Sequence, residues 1–228
     1  MKSIPKNTKD RLVKKSIEAF IMALEIFNKP TLTYRVEGFS FFICNAWELM
    51  LKAHIINEEG EEAIYYPGKP NRTISLRDAI SKIYTDVKQP LRINLEEIIK
   101  LRDESTHFVT EDHESLYTPF FQSCVFNFSE QIKKFHNVDI TDYVSQNFLV
   151  LSVNVSILTN EEIEAKYSKE MAQKFIAKRN ELNELRNQYS SNDLYIPLRV
   201  EFYQTKKRDE ADIIYSIDKS GDESVQVI

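Results

Sequence analysis

The sequence predicts an α+β chain that is mainly α, with a helical bundle over residues 1–138 and a small β-α-β-β unit over 139–228. Three observations predict it. Only four glycines and seven prolines punctuate 228 residues, which favours long helices over a glycine-turned β fold. From Val13 to Phe135, apolar residues recur at steps of three and four, the period of helices with one buried face. After residue 138 the pattern changes to alternation rich in β-branched residues, the period of strands.

Residues 1–7 are expected as a loose tail. Val13, Ile17, Phe20, Leu24 and Phe27 predict a first amphipathic helix from about Thr8 to Phe27, stopped by "NKPT" at 28–31. A second helix is expected from about Tyr34 to Ile56. Its middle, "FSFFICNAWELMLKA", is apolar on nearly every side and therefore needs neighbours all round, with Asn45, Glu48 and Lys52 as exceptions. A loop over 58–73 carries Gly60, Pro67, Gly68 and Pro70. Ser75 and Asp78 match a capping box in front of Leu76, Ala79, Ile80, Ile83 and Val87. Pro90 separates that third helix from a fourth, which Asn94 is expected to cap and Glu97 to complete. A fifth helix carries Phe121, Val125, Phe128, Ile132 and Phe135. Five helices joined by short breaks read as a bundle.

Beyond them, "FLVLSVNVSIL" (148–158) reads as a strand. Residues 161–189 read as one long charged helix, with Ile163, Tyr167, Met171 and Phe175 on a stripe. "LYIPLRVEFYQT" (194–205) and "ADIIYSI" (211–217) read as two strands joined by "KKRDE". The chain stops soon after the last of these, as a truncated piece of a longer protein would.

Composition narrows the function classes. Apolar residues make up 42%, with 14 Phe and 11 Tyr, so a sizeable core can form. A net charge of −5 and a pI of about 5.5 argue against a nonspecific nucleic-acid coat and leave room for a local basic groove. Cys44 and Cys124 lie in apolar runs and read as buried reduced thiols. "MKSIPKNTKD" lacks the apolar core of a secretion signal. No uninterrupted stretch approaches the roughly 18 apolar residues of a membrane span. The expectation is a soluble cytoplasmic protein without a membrane partner.

Chemistry concentrates in "KLRDESTHF" (100–108). Arginine binds phosphate bidentately and stays charged. Histidine exchanges a proton near neutral pH. Arg102 and His107 together suit RNA cleavage without a metal, in which the ribose 2′-hydroxyl attacks the adjacent phosphorus and the cation stabilises the crowded phosphate. Five residues apart, the two stand about 140° apart on a straight helix. Either the helix breaks between them or they work with groups from another chain. Asp103, Ser105 and Thr106 favour helix ends, so a break near 104–106 is expected. One histidine per site is awkward for a reaction needing both an acid and a base, but a twofold axis would supply two. The plain alternative is a polar helix end, with Arg102 paired to Glu97, Asp103 or Glu104 and His107 capping.

The element resembles the Arg-x4–6-His signature of the HEPN superfamily, in which a polar residue commonly follows the arginine; here that residue is Asp103. "NAWELMLKAHI" (45–55), with Glu48 and Lys52 in an apolar frame, resembles the acid-containing helix that often precedes the signature. "EIFNKPTLTYRVEGFSFFICNAWELMLKA" further resembles a bacterial family of unclassified function that carries such a domain. The resemblance covers roughly residues 8–136. It implies a HEPN-like bundle and a homodimer whose two signatures face one cleft. It also implies a metal-independent endoribonuclease of toxin–antitoxin or antiphage systems, or a relative that has lost activity and serves as a dimerising or binding module. A cognate antitoxin or companion defence protein would be the partner. Carried over, Arg102 would hold the scissile phosphate, His107 would transfer the proton, Asp103 would orient Arg102 or the second copy's groups, and Glu48 would steady the site, with Ser105 and Thr106 in support.

The remaining candidates carry weaker readings. In "YYPGKPNR" (65–72), Lys69 and Arg72 beside two tyrosines can hold RNA, or form a solvated connector. His54 reads as a satisfied core histidine. His113 and His136 lack partners at metal spacing. "HFVTEDH" (107–113), with His107, Glu111, Asp112 and His113, fits no metal-ligand order. The lysines and arginines of 161–189 and "KKR" (206–208) read as solvated charge. There is no Gly-rich phosphate loop, nucleophile elbow or Cys-x-x-Cys, and neither a metal nor a cofactor is expected.

Overall fold

The structure is a computed structural model that describes residues 7–29, 31–108, 113–144, 159–189, 191–196, 213–217 and 223–227. Among these residues are seven α-helices and two two-stranded antiparallel sheets, so the mainly α reading of the fold holds. The expected strand at 148–158, the stretch 197–205 of its neighbour and the "KKRDE" turn lie outside the described residues, as does most of the expected tail.

Helix α1 runs Thr8–Phe27, with the Asn7 side chain capping it by accepting from the Asp10 N–H at 2.8 Å. Helix α2 runs Arg35–Glu59, and Gly60 follows it at φ 90. By length and composition α2 could cross a membrane, but 61% of its most apolar window is buried inside the protein. Its role is that of a central core helix, as its all-round apolarity requires. Trp47, Met50 and Leu51 are fully enclosed, each contributing about 2 kcal/mol by burial. Gly38 permits the close approach of α1, because a Cβ there would meet Ile26 Cγ2 at 2.7 Å.

The expected loop after α2 is more ordered than a connector. A 3-10 turn, Glu61–Ile64, leads into a hairpin of β1 (Tyr65–Tyr66) and β2 (Lys69–Thr73). Pro67 and Gly68 make its turn, and Gly68 takes φ 71, which a type II turn requires at its third residue. Helix α3 (Leu76–Ile83) begins at the expected Ser75–Asp78 capping box. Val87 lies beyond its end and is exposed.

Helix α4 runs Pro90–Phe108 and begins four residues before the expected cap. Proline suits a first helical position because its missing N–H would be unpaired there anyway. Asn94 is instead wholly buried inside the helix, and its Nδ2 donates to the carbonyls of Phe120 at 3.0 Å and Leu194 at 2.8 Å. Helix α5 runs His113–His136. Its Phe128 stacks on Phe20 with centroids 4.4 Å apart and meets Trp47 edge-on, while Phe121 closes a cluster with Phe27 and Phe39. Cys44 and Cys124 are buried and free, as expected, and the Trp47 Nε1–H donates to the Cys124 sulfur at 3.1 Å.

The expected long helix over 161–189 is two helices, α6 (Asn160–Lys166) and α7 (Lys169–Gln188). Tyr167 and Ser168 interrupt it, and the Ser168 hydroxyl caps α7 by accepting from the Met171 N–H. The first compact unit extends to Pro197, past the expected boundary at 138/139. Leu182 and Leu194 are buried in the bundle core. Ser123 and Asn127 also donate to the carbonyls of Asn192 and Asp193. These contacts bind residues 182–196 to α4 and α5.

The second unit, Leu198–Ile228, contains β3 (Ile213–Ile217) within the expected 211–217 strand. Its partner is β4 (Glu223–Val227), antiparallel with Ile213 opposite Val227, a strand the sequence reading did not anticipate.

Candidate functional site

Helix α4 is continuous through Phe108, so the expected break near 104–106 does not occur. Leu91, Leu95, Ile98, Ile99 and Leu101 bury one side of the helix, and this packing overrides the helix-ending tendency of Asp103, Ser105 and Thr106. Positions 102 and 107 therefore stand about 140° apart around one axis. Of the two routes to a shared site, only groups from another chain remain. Ser105, Thr106 and His107 lie in this last part of α4, and their side chains are outside the described residues.

Asp103 is the centre of the described cluster. Its Oδ1 accepts from Arg102 Nε at 3.1 Å and Nη2 at 2.8 Å. Its Oδ2 accepts from Arg77 Nη2, on α3, at 2.8 Å. The three side chains remain partly open to solvent, Arg102 at 30%, Asp103 at 47% and Arg77 at 49%. Partial burial opposes the Asp103 charge, yet the bonds from Arg77 and Arg102 outweigh it and hold the carboxyl below its ordinary range. Partial burial also opposes the Arg102 charge. The bond to Asp103, the Cys44 thiol and the charges of Asp103 and Glu48 outweigh that and raise its pKa further. Asp103 is thus an ionised orienting group, not one that exchanges protons near neutrality.

Glu48 faces this cluster from α2, close enough for its charge to act on Arg102. It also receives the Lys52 ammonium at 2.5 Å, and Lys52 donates to the Thr73 hydroxyl at 2.9 Å. Lys52 is 5% exposed, so both bonds are needed to hold its charge indoors. Thr73 ends β2, which carries the exposed Lys69 and Arg72. Arg72 lies over the Tyr66 ring at 5.3 Å, and the Tyr66 hydroxyl donates to Asp78 in the first turn of α3. Contacts thus run from the hairpin through Lys52 to Glu48, whose charge acts on Arg102 of α4. Of the residues singled out from sequence, the fold joins Arg102 and Asp103 directly and Glu48 through its field. Lys69 and Arg72 stand apart on the hairpin.

The residue missed is Arg77. Its sequence surroundings, "SLRDAI", show only a capped helix start, and nothing there announces a partner 26 residues later.

His54 is not a satisfied core histidine. Its ring stacks on Phe135 at 3.8 Å, but its buried Nδ1 has no hydrogen-bond partner among the described residues. The His136 ring is 6.5 Å away, with its Nε2 3.1 Å from the Met50 carbonyl. Burial lowers the pKa of both. Burial also pushes the Cys44 thiol up to about 12. Among the described residues no group of three or more His, Cys, Asp or Glu could hold a metal ion.

A family model described as "Domain of unknown function (DUF3644)" matches residues 11–186, and the chain belongs to that family. The match crosses 138/139 without interruption. Comparison with curated proteins and with solved structures found no match.

Proposed function

We propose that the chain is a metal-independent endoribonuclease of the HEPN type, acting as a cytoplasmic homodimer in bacterial defence or a toxin–antitoxin pair, with an antitoxin or companion defence protein as its further partner. The observation that carries this reading is the Arg102 guanidinium, held at the solvent edge by Asp103 on a helix that continues unbroken past His107. One copy directs the two positions about 140° apart. Two copies about a twofold axis can bring the arginine of each and the histidine of each to one cleft.

In this reading Arg102 stabilises the charge that develops on the phosphate as the 2′-oxygen attacks phosphorus. One His107 takes the 2′-hydroxyl proton. The His107 of the other copy gives a proton to the departing 5′-oxygen, leaving a 2′,3′-cyclic phosphate and a 5′-hydroxyl. Asp103 keeps Arg102 in register, and Glu48 supports it from α2.

Total RNA incubated with the protein in EDTA tests this. Cleavage is expected to survive chelation in the wild type and to be lost in Arg102→Ala and His107→Ala, with fold and dimer retained. Full activity in the double variant would end the reading. A second reading, a non-catalytic module that dimerises and binds RNA or protein, draws support from Asp103 engaging Arg102 through both Nε and Nη2. Its mark is binding without cleavage of any RNA.

A further inference from the structure

Arg77 and Arg102 approach one carboxylate from different helices, each on its own oxygen. Two guanidiniums thus stand side by side around one carboxylate, in a protein whose net charge is −5. An ion pair this exposed adds little stability, so stability alone does not account for it. Among the described residues Arg77 makes no hydrogen bond other than the one from Nη2, so most of its five N–H donors face outward unengaged. Its backbone is fixed, because the Ser75–Asp78 capping box and the Tyr66 hydroxyl lock the turn on which it sits. A rigidly based, half-exposed guanidinium beside a second one suits a run of phosphates rather than a lone carboxylate.

We propose that Arg77 is an RNA-binding residue of this site, holding a phosphate adjacent to the one Arg102 engages on a single strand, and that Asp103 is the positioning residue that spaces the two guanidiniums on its two oxygens. This rests on reading Arg102 as a phosphate-binding residue.

The test is the salt dependence of binding to a short single-stranded oligoribonucleotide with 2′-O-methyl riboses, which cannot be cut, together with kcat and KM on its cleavable counterpart. Arg77→Gln is expected to weaken binding about tenfold at low salt and to reduce the slope of log K against log salt by about 0.7, the loss of one phosphate contact to a single strand. KM should rise by about as much, with kcat within about twofold. Arg77→Lys should keep the slope, because it keeps the charge. Should the glutamine variant not fold, Arg77→Met carries the same readouts. An unchanged slope and KM in an enzyme that cleaves RNA would overturn the role of Arg77 and leave the nuclease reading standing. A reduced slope in a protein that cleaves nothing would keep the role and end the nuclease reading. A wild type that binds no oligonucleotide would end both.

Discussion

Helix α4 carries two carboxylates six residues apart, each between two cations, and the two are used differently. Glu97 is 3% exposed and receives Lys100 from its own helix and Lys178 from α7 at 3.1 Å. Glu181 pairs with both lysines as well, so the four charges balance. Asp103, on another side of the helix, is half-exposed and holds two arginines. A balanced network around a buried carboxylate joins elements. In the Asp103 cluster every member is partly open to solvent.

Breaking the network around the buried Glu97 should cost most. Glu97→Ala leaves Lys178 with a single acid, and a loss of about 3 kcal/mol of unfolding free energy is expected from urea unfolding, with oligonucleotide binding unchanged. Asn94→Ala, one turn earlier on α4, removes two buried hydrogen bonds and should cost about 2 kcal/mol by the same measurement. At the open cluster, Asp103→Asn should change stability by less than about 1 kcal/mol while lowering cleavage about tenfold through kcat. A larger loss of stability at Asp103 than at Glu97 would reverse the contrast.

Acid separates the regions further. Asp103 has a depressed pKa, so its contribution is complete above the unfolded value of about 3.9 and disappears only as pH falls through its lower folded value. His54 and His136 are depressed as well. Their contribution is complete above about 6.5 and is lost as pH falls from there toward the folded values, because the unfolded chain then binds the extra protons. The first loss of stability on acidification is therefore expected from the histidine pair, and His136→Gln should flatten the unfolding midpoint between about pH 7 and 5.

Much of the fold was legible, and the misses share a cause. Helix α1, the core helix α2 and the capping box of α3 are written in local signals: period, all-round apolarity and a reciprocal cap. Asn94 carried the same local signal as a cap, yet tertiary partners 26 and 100 residues away use it. Pro90 was read as a separator when it is the first residue of the helix. The 138/139 boundary failed to coincide with the compact unit because Leu182 and Leu194 return to a core defined earlier in the chain. β4 is a five-residue strand whose alternation, "SVQV", is too brief to stand out. At the candidate site, Arg102 and Asp103 are legible because they are adjacent in a motif. Arg77 is not, because the contact that defines it spans two helices.

Asn94, Ser123 and Asn127 each wait on carbonyls between residues 192 and 194. A ribosome delivers these partners late, after all five bundle helices have emerged. Until then the nascent bundle exposes three polar side chains and an apolar cleft where Leu182 and Leu194 belong. Completion of the bundle is thereby timed to the arrival of a short irregular segment, and a chain cut before it would be left with an open flank that sticks to other molecules.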